Sequence, residues 1–232
     1  MGAGSLVALS AALAPARAAD EWEPLRTVLF GSAEAGPSSF VNAGFKRALG
    51  PSLDRDGWLV LGTLGGGVRR ERLDGPVPEA TRVTSLASGL VGHQWIAGGT
   101  VLALFGGVEL DHRQLLVPGE ALRLAEPSLG ARVQAELWSR PTERTLVAAT
   151  LIAGSARGHL WTRAAWGHEV WRGVYAGPEA VAYLENTYRE GRLGLHLTGL
   201  TFAGLTWGAS AGGSFTDART GGYVALQAYT RR

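Results

Sequence analysis

The chain has no cysteine, one lysine and one methionine in 232 residues. Without thiols, a disulfide framework and thiolate metal sites are both excluded. The histidines His93, His112, His159 and His168 show none of the spacing of a zinc site, so neither a metal nor a cofactor is expected. A basic cluster is missing as well. Lysine and arginine number 22 against 20 acidic residues and are scattered. A nucleic-acid footprint needs a concentrated basic face, so nucleic acid is not an expected partner. After the first 20 residues no stretch approaches the ~18 uninterrupted apolar residues of a membrane-spanning helix. If the chain sits in a membrane, it must do so as a closed barrel, because lipid leaves the backbone groups of any open sheet edge unsatisfied.

What is present begins with a distinct N-terminal segment. Leu6 to Leu13 is apolar with small residues, and Ala16-Arg17-Ala18 supplies an A-x-A pattern ahead of Ala19-Asp20. This predicts a signal peptide over residues 1–18, cut after Ala18 and used for export through the Sec pathway. It departs from the usual signal in having no lysine or arginine before the apolar run. One domain, 19–232, is expected to follow.

Glycine is abundant, at 34 residues, and alternation is the dominant pattern. Between Leu205 and Phe215, Leu205, Trp207, Ala209, Ala211, Gly213 and Phe215 fall on one face of a strand. Thr206, Gly208, Ser210, Gly212 and Ser214 fall on the other. The same pattern returns at Val133, Ala135 and Leu137 against Arg132, Gln134, Glu136 and Trp138. It returns again at Leu193, Leu195 and Leu197 against Arg192, Gly194, His196 and Thr198. Turn chemistry such as Gly36-Pro37-Ser38, Arg55-Asp56-Gly57 and Pro118-Gly119 separates the runs. Strands are predicted at 26–35, 39–48, 58–71, 81–94, 98–111, 129–139, 144–155, 159–169, 172–183, 188–202, 204–216 and 219–230.

Alternation alone does not separate a soluble sandwich from a barrel. The wealth of glycine and alanine favours the barrel, since a soluble core prefers large interdigitating side chains. The expected fold is therefore all-β, a single antiparallel transmembrane β-barrel of about 12 strands in the outer membrane, with outer-membrane lipid around it. With the N-terminus in the periplasm, the connections near 97, 140–143 and 203–204 become short periplasmic turns. The long segment Asp111 to Ser128 then lies outside.

Several pieces of the chain together carry a family resemblance. They are Tyr175-Ala176-Gly177-Pro178-Glu179, Tyr188, and Arg192 through Gly199. Phe40-Val41-Asn42, Lys46 through Gly50, Leu53 through Gly57, Gly92 through Trp95 and Val133 through Trp138 accompany them in colinear order. The chain resembles the cellulose biosynthesis protein BcsS family of alphaproteobacteria, from about Arg26 to the C-terminus. That resemblance implies an accessory role in making or exporting cellulose, with glucan or other cellulose-synthesis components as partners; the role is expected to be non-enzymatic. It also marks the turn Asp54, Arg55, Asp56 as a family motif. One departure is the C-terminus, Tyr229-Thr230-Arg231-Arg232, where outer-membrane strands commonly end on an aromatic residue.

Within that frame, Glu136, Glu179, Arg192 and His196 are expected to face the lumen as a polar network. Such charges pair to offset desolvation and can fill a small lumen; a lining selective for a glycan or solute is the alternative use. Trp138 and Trp161 are candidates for stacking on sugar, whereas Trp58, Trp95, Trp166, Trp171 and Trp207 suit an interfacial belt. Two other functions stay open, a general small-solute porin and a barrel hydrolase of the lipid A deacylase or lipase type. The hydrolase would draw on Glu179, His196 and Ser210.

Overall fold

A computed structural model describes residues 25–72, 79–119, 123–186, 188–217 and 219–232. The segment 1–18 expected to be a signal peptide lies outside them. Every regular element among the described residues is a strand: β1 (Thr27–Ala35), β2 (Ser38–Ala48), β3 (Gly57–Arg72), β4 (Glu79–Ala97), β5 (Thr100–Leu116), β6 (Arg123–Leu124), β7 (Ser128–Thr142), β8 (Thr145–Gly154), β9 (His159–Trp171), β10 (Val174–Glu185), β11 (Tyr188–Phe202), β12 (Leu205–Thr216) and β13 (Thr220–Arg231). Each long strand pairs antiparallel with its sequence neighbour, β5 passing over the two-residue β6 to β7. The first and last strands close the ring along Val28↔Arg231 to Ala35↔Val224. Twelve strands thus form a closed barrel with no free edge, and β6 hangs on β5 through Gln114 and Leu115.

The alternation seen in the sequence is laid out inside-out relative to a soluble protein. On β11, Leu195 is 68% exposed while Arg192 and His196 are 8% and 4% exposed. Leu129, Val133, Leu193, Val224 and Leu226 likewise stand outward. A closed sheet with leucines outside and charges inside is a membrane barrel, because only lipid rewards that outer face. Trp58, Trp95, Trp166, Trp171 and Phe202 are exposed, and all sit toward the end that carries both termini. Trp207 joins them, its Nε1 donating to the Phe202 carbonyl at 3.2 Å. This is the interfacial belt the sequence predicted.

Connections at the termini-bearing end are mostly two residues long. Arg172-Gly173 and Ala203-Gly204 have positive φ at both positions, 31° and 83°, then 52° and 73°. Such turns match the twist of a hairpin, and the second position of each is a glycine, which takes positive φ at no steric cost. The exception is residues 49–56, a longer connection folded inward against the barrel floor.

The strand β5 is longer than the sequence pattern predicts. Asp111 to Ser128 is not a loop from its first residue, since β5 runs on to Leu116. Asp111 and Arg113 keep the inward alternation and bury their charges against each other, and β4 is long enough to pair with the extension up to Thr81↔Leu116. A polar sequence, Asp111-His112-Arg113-Gln114, reads as loop only when its partners are unknown.

Candidate functional site in the barrel lumen

Inward side chains fill the lumen in three levels. At the termini-bearing end the floor is apolar: Ala48, Leu59, Leu61, Leu90, Ala103 and Phe105 form a buried cluster, with Phe30 and Leu53 packed against it. The Phe105 ring lies over Gly92, where a Cβ would collide with it. Lys46, the chain's one lysine, sits 5.5 Å from the centre of that ring and bonds Glu136 on β7, four strands away around the barrel. Glu136 also accepts from Gln134 Nε2 at 2.7 Å.

The middle level centres on Arg192 and Glu190. Arg192 Nε donates to Glu190 Oε1 at 2.7 Å, its Nη1 bonds Glu34 on β1, and its Nη2 donates to Ser38 Oγ at 3.2 Å. Glu190 also accepts from Ser38, Tyr188 and Ser214 at 3.0, 2.8 and 2.8 Å. The Arg192 guanidinium lies over the Tyr223 ring, whose hydroxyl donates to Glu179 Oε1 at 3.2 Å. Arg163 completes the chain, its Nε donating to Glu179 Oε2 at 2.6 Å.

The far level crosses the lumen. Arg69 on β3 donates to Glu185 Oε2 on β10 at 3.1 Å, and these strands are six apart in a ring of twelve, hence on opposite walls. Glu185 is also bonded by Arg113, which is held in turn by Asp111 at 2.8 and 3.0 Å. Arg69 stacks on Tyr188, 4.2 Å from the ring centre. Side chains therefore reach the opposite wall at the far end and span a third of the ring near the floor. Arginine and glutamate are long enough for this in a ring wider than the eight-stranded kind, whose own side chains fill it. A cavity of about 320 Å³ lies among the middle and far levels, and Trp161 and Arg132 line it as well.

The profile of the cellulose biosynthesis protein BcsS family matches residues 28–232, the whole of this barrel but its first residue. The chain belongs to that family. No curated protein matches the sequence. Among solved structures, the beta domain of the Bordetella autotransporter Brka is similar with a TM-score of 0.56 at 14% identity, over 90% of this chain and all of that one. The transport unit of the autotransporter AIDA-I from Escherichia coli is similar with a TM-score of 0.50 at 8% identity, over 88% of each chain. At such identities the likeness speaks for the fold, an outer-membrane-type barrel. Membership of the BcsS family connects the chain to cellulose biosynthesis.

The residues singled out in the sequence do not form one site. Glu179 and Arg192 share a network through Tyr223, whereas Glu136 is occupied by Lys46 and Gln134 nearer the floor. His196 stands apart, its Nε2 against the Trp166 carbonyl at 3.1 Å. His196 faces Ser210 across the β11–β12 pair, but Glu179 is taken by Arg163 and Tyr223. That leaves the histidine unoriented by an acid, contrary to what a hydrolytic triad needs. Trp138 continues the inward register of β7 but lies at the mouth, 37% exposed and off the cavity wall. Asp54, Arg55 and Asp56 pin the inward-folded connection. Asp56 Oδ1 accepts from the Ile96 amide at 2.7 Å, and Gln94 Nε2 donates to the carbonyls of Leu53 and Arg55 at 2.8 and 2.7 Å.

Sequence reasoning missed Glu34, Lys46, Arg69, Arg113, Glu185 and Glu190. Glu190 lies two residues before Arg192 and so shares its face, which was a readable signal. The apolar floor also had one, since Trp58-Leu59-Val60-Leu61 is apolar on both faces rather than alternating.

Proposed function

We propose that the protein is a non-enzymatic outer-membrane accessory of cellulose biosynthesis, exported by its N-terminal segment through the Sec pathway. It gives the cellulose-synthesis components a fixed place in the outer membrane and does not conduct the polymer. Outer-membrane lipid covers its leucine face, and the end opposite the termini points outward from the cell. The observation that carries this reading is the bridging of the lumen from wall to wall. A glucan passing through would have to separate Arg69 from Glu185 and Lys46 from Glu136. It would also have to displace the floor around Leu61 and Phe105. Breaking the buried Arg69–Glu185 pair in that way costs several kcal/mol, and separating the half-buried Lys46–Glu136 pair adds a smaller cost.

The porin reading meets the same obstacle, and the unassembled His196 speaks against the hydrolase. Deleting the gene and measuring cell-surface cellulose tests the process: reduced or misplaced cellulose, restored by the wild-type gene, is expected. Unchanged cellulose output would overturn the assignment. Fractionation tests the location, since recovery in the soluble periplasm without heat-modifiable gel mobility would sink the membrane barrel.

A further inference from the structure

The cavity between the two charged networks has a composition that a structural filler does not require. Trp161 projects into it from β9, between His159 and Arg163 on the same strand face. Its cross-strand neighbours are Ile152 and Tyr183. Among the described residues its indole Nε1 has no hydrogen-bond partner and its ring stacks on no other ring. Tryptophans elsewhere on this barrel sit in the belt or at the mouth, where lipid and headgroups explain them. Neither explains an indole turned into the lumen.

Arg132 is the second group. Five arginines and five carboxylates line the cavity. Arg69, Arg113, Arg163 and Arg192 each make an ion pair. Arg132 does not. It is 5% exposed, its Nη2 donates to Gln134 Oε1 at 3.0 Å, and its Nε has no partner among the described residues. Its side chain lines the cavity, and no direct ion pair ties it down there as one does each of the other four arginines.

We propose that this cavity binds a neutral pyranose, as one or two sugar units, with Trp161 as the stacking plate and Arg132 as a hydroxyl-binding donor. A pyranose has an apolar face of C–H groups and a rim of hydroxyls that both donate and accept. An indole lining the cavity beside ionic side chains meets both. The equal number of arginines and carboxylates gives a charged ligand no net attraction, so the neutral sugar fits best. The volume, about 320 Å³, falls at the small end of ligand pockets and admits a mono- or disaccharide rather than a polymer segment. The Arg69–Glu185 bridge borders the cavity at the far end, so a sugar arriving from that side has to pass it. The proposal stands apart from the scaffold reading: a barrel that binds no sugar could still be needed for cellulose, and the reverse.

The test is isothermal titration of cellobiose, and of the anionic dimer of galacturonic acid, into the full chain folded in detergent. Wild type is used beside Glu185→Gln, which loosens the far bridge, and heat-modifiable mobility checks that every variant is folded. Saturable cellobiose binding by wild type or by Glu185→Gln is expected. Trp161→Leu should weaken it at least tenfold, and Arg132→Gln should weaken it several-fold. No saturable binding by either protein, or undiminished binding by folded Trp161→Leu, would overturn the site. Tighter binding of the galacturonate dimer than of cellobiose would overturn its neutral character.

Discussion

Glu190 shows how a charge can be held in the lumen at all. Its two carboxylate oxygens accept from Ser38, Tyr188, Arg192 and Ser214, and only 4% of the residue is exposed. Removing it would strand three hydroxyls and leave Arg192 with Glu34 as its remaining carboxylate. Breaking a buried pair by deleting one partner usually costs about 3–5 kcal/mol. Glu190→Ala should therefore lower the urea midpoint of the vesicle-embedded barrel by a corresponding amount. Glu136→Ala, at a half-buried pair with Lys46, should lower it less. Equal shifts, or none, would show that the network is ornamental to stability.

At the scale of a strand, the deciding question is which solvent each face meets. Leu195 lies near the middle of β11 and points outward. Exposed leucine to arginine in a water-facing sheet changes stability within about 0.5 kcal/mol. On a lipid-facing strand at mid-depth it costs roughly 2–4 kcal/mol. Leu195→Arg should accordingly destabilise the barrel in vesicles by the larger amount, read from the shift in urea unfolding. A near-neutral result would place that face in water. This is also where the sequence was most legible. β11 is 188–202 in both the pattern and the structure, because period-two alternation and flanking turns are local properties that one chain segment carries alone. The extension of β5 past Asp111 was not legible, since it depends on β4 reaching far enough to pair with it. The bridges Arg69–Glu185 and Lys46–Glu136 were hidden for a stronger reason. They join strands six and four places apart, and which inward residues meet across a ring depends on strand number and shear together.

The whole barrel raises the question of what a lumen is for when it is bridged at both ends. An apolar floor, one lysine–glutamate pair above it and an arginine–glutamate crossing at the far end leave an interior divided by side chains. Ions crossing such an interior would pass the apolar cluster of β2 to β5, which offers nothing to replace their hydration, and both charged crossings. Wild-type protein in planar bilayers is therefore expected to show no sustained channel. The obstacle is made of side chains on an intact ring of backbone hydrogen bonds, so truncating them should open it without undoing the barrel. Lys46→Ala, Phe105→Ala, Arg69→Ala and Glu185→Ala combined should give steady single-channel current, with heat-modifiable mobility retained. Each of the two ends alone should give little, because current through two constrictions in series is limited by the one left closed. A steady porin-like conductance in the wild type would sink both the bridged lumen and the scaffold reading that rests on it.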